Sequence, residues 1–200
     1  MSQQVLRRTL SRAVAEAAAA VARVVERPPT PETLAAVHAV RWPVHDAESL
    51  RGLGLLEESR CSAEAAERLA ADHARLFVGR PGRRPVAPAD APPEAERSLR
   101  RFREEVAAAG IALPDASAPA AAQVLGTYAA LLTAEVAARD AARWRRELVE
   151  DHLLTWVARC LSRVQLGAQT FLYQGVAVLG LALLRAVASA AGPSGVCDDR

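Results

Sequence analysis

The chain has 200 residues, 51% hydrophobic and 24% charged, with 25 basic against 23 acidic side chains and a formal charge of +2. This apolar content excludes disorder for want of hydrophobes, and the near balance of charge excludes nucleic-acid binding by bulk charge, though not by a local patch. The length suits one domain, or two small tightly packed ones, with ample chain to bury a core.

Aromatic residues are only 4%, and the apolar share is carried by alanine, leucine and valine. Alanine and leucine are the strongest helix formers, so composition already favours helix. Every basic residue is arginine, which excludes lysine Schiff-base chemistry and a phosphate-loop lysine. Cys61, Cys160 and Cys197 are far apart and odd in number, which argues against a disulfide framework and suits a reducing cytoplasm.

Arg7-Arg8-Thr9-Leu10 superficially resembles an export signal, but Arg12, Glu16, Arg23 and Glu26 interrupt the apolar stretch that a signal needs. Leu6, Leu10, Val14, Val21, Val24 and Val25 instead recur at helical spacing, which predicts a first amphipathic helix ending at Pro28-Pro29. Thr30-Pro31-Glu32 reads as cap, first-turn proline and first-turn acid of a short helix to about residue 40. After Trp42-Pro43, Asp46 caps a third segment expected to end near Gly52 and Gly54 or slightly beyond. Ser62 and Glu64 mark the start of a stronger helix through Phe77.

Gly79-Arg80-Pro81-Gly82-Arg83-Arg84-Pro85, with Pro88, Pro92 and Pro93 beyond, predicts a loop over 79–93 that is neither helix nor interior strand. Such a long connection is more often functional than filler. It divides the chain into sub-parts of about 1–78 and 94–191. Further helices are expected over 94–109, with Gly110 as the residue after the cap, and over about 119–138, 141–164 and 169–190. The segment 175–184 is fully apolar but spans about half a bilayer core at helical rise, so it reads as a buried terminal helix and not a membrane span. With no alternating strand pattern and no internal repeat, the expected fold is all-α, a single domain of about seven to nine helices.

The histidines, His38, His45, His73 and His152, lack metal-site spacing, and nucleophile-elbow, phosphate-loop and dinucleotide motifs are absent, so neither catalytic residues, a metal nor a cofactor is expected. Arg80, Arg83 and Arg84 are either a solvated cluster or a grip for an acidic segment or phosphate. His152 and Trp156 share one helix face and read as a structural pair.

Three segments, in order, resemble one family. Asp72-His73-Ala74-Arg75-Leu76-Phe77-Val78-Gly79-Arg80, leading into the proline-rich loop, is similar to the helix end and loop of the TorD/DmsD-like, NarJ-related maturation chaperones of redox enzymes. Leu148 to Trp156, containing His152-Leu153, is similar to that family's late helix, and Phe171-Leu172-Tyr173 stands where it has the start of its last helix. The resemblance covers roughly residues 35–185. It implies a cytoplasmic chaperone, without enzymatic activity, that binds the twin-arginine signal peptide or the apo-form of a molybdopterin-dependent oxidoreductase subunit until its cofactor is inserted. It implies a partner-binding surface at His73, Leu76, Phe77 and Gly79 and at Pro114 and Asp115, where Ala116 replaces the family's histidine. His152, Trp156, Phe171 and Tyr173 would be structural. A monomer or a helix-exchanged dimer would be compatible, and no nucleic-acid partner is expected. A cationic signal peptide needs acids beside an apolar groove, and Asp115, Glu135 and Asp151 are candidates. An all-helical ligand-sensing regulator and an enzyme using the arginine loop on a nucleotide are the competing classes.

Overall fold

The computed structural model describes residues 3–43, 46–134 and 138–191, with side chains over 9–43, 46–134 and 140–189. Among these residues the chain forms eight helical rods and no strand: α1 Gln3–Glu26, α2 Pro31–Ala39, α3 Ala47–Cys61, α4 Ala66–His73 running on as a π-helical turn Ala74–Val78, α5 Pro93–Ala108, α6 Ala120–Thr133, α7 and α8 Phe171–Ala191. Helix α7 is continuous through Ala138–Leu148, a π-helical stretch Val149–Val157, and Ala158–Gly167. The all-α fold expected from composition and period is therefore the fold adopted. Cys197 and the Gly192-Pro193 stop lie outside the described residues, as do His45 and Glu135.

The local signals that end helices act as expected at several points. Thr30 accepts from the Thr33 amide at 3.3 Å and Asp46 from the Ser49 amide at 2.7 Å, each satisfying a first-turn N–H that has no partner inside its helix. Gly110 follows α5 at φ +81°. Four boundaries need correction. Helix α3 does not stop near its glycines but continues to Cys61, because Gly52 packs against α8. Ser62 caps the end of α3 and does not start α4, which begins at Ala66. Helix α6 ends at Thr133, and α7 is already helical at Ala138.

Helix α8 lies at the centre, against α1, α3 and the last third of α7, while α1 runs along α6. Its apolar side chains on every side, Leu172, Tyr173, Val176, Leu179 and Leu183 among them, are buried, as a helix without a polar face requires. It is long and apolar enough to cross a membrane, and it is mostly buried inside this fold. Small residues are buried on both helices, Ala17, Ala18 and Ala22 on α1 and Ala121 and Ala122 on α6, and small side chains let helix axes approach closely, while Val21 reaches Gly180 of α8. The helices before the 79–92 connection and those after it thus build one core. That connection also contributes to it, for Ala87 and Ala89 are buried, and the Ala89 carbonyl accepts from the Ala121 amide at 2.8 Å.

Candidate functional site

The Leu-Phe-Gly segment begins where α4 widens. The Gly79 amide bonds to the Ala74 carbonyl, five residues back, at 2.7 Å, the signature of a π-turn. The carbonyls of Arg75 and Leu76 are thereby left for other donors, and the amides of Val86 and Ala87 take them at 3.2 and 2.8 Å. The connection is thus folded back onto the helix that precedes it. Gly79 makes the reversal possible. It has φ +82°, and a Cβ there would lie 2.6 Å from the Arg83 carbonyl oxygen.

His73, Leu76 and Phe77 point inward and are buried, and Gly79 is half-buried. The His73 ring lies 5.1 Å from Phe77 and 6.2 Å from Tyr173, with Phe77 and Tyr173 edge-on at 6.0 Å. His73 Nε2 donates to the Val25 carbonyl at 3.2 Å, tying α4 to α1. Burial holds this imidazole below its ordinary proton affinity. The Tyr173 hydroxyl has no hydrogen-bond partner among the described residues, and burial, with the charge of Asp72, raises its ionisation well above the tyrosine range. These residues form an apolar floor beneath the reversal.

Two carboxylates seat the start of α8. Asp72, buried on α4, accepts from the amides of Gln169 and Thr170 at 2.9 and 3.0 Å and from the Thr170 hydroxyl at 2.8 Å. Glu64, from the turn before α4, accepts from the amides of Phe171 and Leu172 at 2.9 and 3.0 Å. The unpaired N–H groups of the first turn of α8 are thus satisfied by acids from elsewhere in the chain, favourably placed against the positive end of the helix dipole. Arg75 completes the joint, donating to Asp72 at 2.5 Å and also to the Gly167 carbonyl. Sequence reasoning missed Asp72 and gave Glu64 a role in its own helix. No local signal pointed to this joint, since Thr170 supplies an ordinary cap residue ahead of α8 and the acids come from far along the chain. Phe171 itself is partly exposed at this joint.

His152 and Trp156 meet within the π-helical stretch of α7. Trp156 Nε1 donates to His152 Nδ1 at 3.2 Å, so the neutral imidazole carries its proton on Nε2. That nitrogen is buried without a partner among the described residues, and burial pushes the imidazole below its ordinary range. The pair is interior.

Pro114 and Asp115 lie elsewhere, at the surface between α5 and α6. Asp115 Oδ1 accepts from the Ser117 amide at 2.8 Å, and this bond holds its carboxyl below the usual range. Arg103 donates to the Pro114 carbonyl at 2.6 Å and to the Thr127 hydroxyl at 3.3 Å, fixing the turn onto α6. Beside this turn is an open cleft of about 720 Å³. Leu99, Ala107, Leu113 and Ala118 give it an apolar wall, and Asp90, Glu96 and Glu104 bring carboxylates to it. Glu96 is paired with Arg100, and Arg103 is taken up by Pro114 and Thr127, whereas Asp90 and Glu104 make no ion pair among the described residues. Asp151 lines a separate depression with Arg143, Arg146, Glu147 and Glu150. The structure therefore groups the expected site residues in three places: the buried His73–Phe77 floor, the interior His152–Trp156 pair and the exposed Pro114–Asp115 turn with its cleft.

Among the described residues no group of three His, Cys, Asp or Glu side chains is placed to hold a metal ion. Cys160 is buried, which pushes its thiol up to about 12, and Cys61 is an exposed free thiol. Comparison with protein-family models, with curated proteins and with solved structures gave no match.

Proposed function

We propose that this chain is a cytoplasmic chaperone without enzymatic activity, which binds the twin-arginine signal peptide, or the apo-form, of a molybdopterin-dependent oxidoreductase subunit before cofactor insertion and export. The observation that carries the reading is the cleft beside Pro114-Asp115. A signal peptide offers a cationic head joined to an apolar stretch, and the cleft offers an apolar wall next to two carboxylates that make no ion pair among the described residues. Arginine forks grip carboxylates bidentately, so Asp90 and Glu104 are suited to the head while Leu99, Ala107, Leu113 and Ala118 cover the apolar stretch. His73, Leu76, Phe77 and Gly79 serve this reading indirectly, by fixing the connection that carries Asp90 and Ala91 into the cleft wall.

Calorimetric titration with a synthetic peptide of two adjacent arginines followed by an apolar stretch tests the reading. Binding to the native chain is expected, weakened about tenfold by Asp90→Arg or Glu104→Arg as one charged hydrogen-bond pair becomes a repulsion. Unchanged affinity in both variants would overturn it. Affinity capture from the native cytoplasm tests the client: recovery of a molybdoenzyme catalytic subunit is expected, lost when Glu104→Arg is the bait.

A further inference from the structure

The cleft leaves unused the arginine turn at the opposite end of the same connection. Arg80 and Arg83 exchange two backbone hydrogen bonds, of 3.1 and 2.8 Å, around Pro81 and Gly82. Proline at the second position and a glycine of φ +74° at the third suit a type II turn, so the hairpin is fixed by its own backbone. The amides of Val86 and Ala87 anchor its far side to α4. Arg80, Arg83 and Arg84 are all exposed, and among the described residues no carboxylate pairs with them.

Aliphatic side chains stand around the turn. Val78, directly before it, is 69% exposed, Val86 is 39% exposed, and Leu166, at the end of α7, is 88% exposed. Val86 covers Gly167 so closely that a Cβ there would lie 2.5 Å from its Cγ1, which brings Leu166 to the same edge of the molecule. One exposed leucine needs no explanation, but three aliphatic side chains beside three unpaired guanidinium groups make a patch of mixed character.

We infer that this patch is a docking surface for an acidic peptide segment bearing aliphatic side chains, supplied by a partner protein. Charge complementarity selects the occupant, because guanidinium forks match carboxylates in geometry and charge while the valines and leucine need apolar cover. A nucleic acid would leave those aliphatic groups unused, and the chain's formal charge of +2 gives no bulk attraction to a polyanion. The turn is preorganised, so little backbone freedom is lost when it binds. This surface is opposite in charge to the cleft and does not depend on the maturation reading.

The test uses the full chain and a fluorescein-labelled peptide of alternating Glu and Leu, followed by anisotropy at about 0.15 M salt, where weak surface attraction is largely screened. Binding is expected to fall about tenfold or more in R80Q/R83Q/R84Q and about threefold in Leu166→Ser. It is expected to persist in R12Q/R51Q/R60Q, which removes equal charge from α1 and α3. A Gln-Leu peptide is expected not to bind. All substituted side chains are exposed, and an unchanged urea midpoint confirms that each variant folds. Equal binding by the native chain and R80Q/R83Q/R84Q overturns the inference, as does equal weakening in the remote triple variant. Displacement of the probe by a single-stranded oligonucleotide or by inorganic phosphate, at lower concentration than the unlabelled peptide, also overturns it by marking a general anion site.

Discussion

The Asp72 carboxylate accepts hydrogen bonds from two amides and a hydroxyl ahead of α8, and its other oxygen takes the Arg75 guanidinium. Removing such a group leaves a partly buried cation without its carboxylate and strips the acceptor from the Gln169 and Thr170 amides, while Glu64 still holds those of Phe171 and Leu172, and both losses act in one direction. Asp72→Ala is therefore expected to cost about 3 kcal/mol or more in urea unfolding, with Asp72→Asn costing less because its amide oxygen still accepts from backbone N–H groups. A loss below about 1 kcal/mol would mean that the α8 start finds other acceptors. Asp72 was within the sequence segment that resembled a chaperone family, yet its chemistry was not legible there. Its backbone partners, Gln169 and Thr170, are nearly a hundred positions away, and no local pattern reports such a bond.

At the scale of elements, the reversal after α4 depends on one backbone conformation. Gly79→Ala places a Cβ at a positive φ and against the Arg83 carbonyl. The expected cost is about 2 kcal/mol or more, read as a lowered urea midpoint and faster proteolysis of the 79–92 connection. Gly82→Ala, at a positive φ but facing open space, is expected to cost about 1 kcal/mol, so the difference between the two measures the clash. Helix α3 carries a related lesson. Gly52 and Gly54 look like a stop in sequence, since glycine weakens a helix by about 1 kcal/mol relative to alanine. Packing overrides that preference, because a Cβ at Gly52 would lie 2.7 Å from Leu179, and the α3–α8 contact needs the glycine there.

For the whole molecule, pH is a sensitive probe of the core. His73 and His152 are both buried, and burial lowers the proton affinity of each imidazole, with Asp151 partly opposing the effect at His152. The unfolded chain binds these protons near pH 6.5, whereas the folded chain resists them until lower pH. Acid therefore favours the unfolded chain. Stability is complete above about pH 6.5 and falls as pH drops below it, by at most about 1.4 kcal/mol per pH unit for each histidine. Urea titrations between pH 7.5 and 5 are expected to show this slope, reduced in His152→Gln.

The helices and most of their ends follow from the sequence alone, because apolar spacing, proline breaks and side-chain caps act within a few residues of chain. Thr30, Asp46 and Gly110 mark ends where the sequence placed them. The sequence also singled out His73, Phe77, Trp156 and Tyr173, since aromatic groups are scarce in an alanine-rich chain and all of them but Phe171 are buried in the core. Only the tertiary structure decided that His73, Leu76 and Phe77 lie under the surface, that Glu64 and Asp72 seat a helix far along the chain, and that Asp90, Glu104 and the Pro114-Asp115 turn border one cleft. The first two groupings come from close packing of α8 against α1, α3 and α7 and the cleft from the way α5 and the 79–92 connection meet α6, and packing depends on the shape of the whole core and not on local spacing.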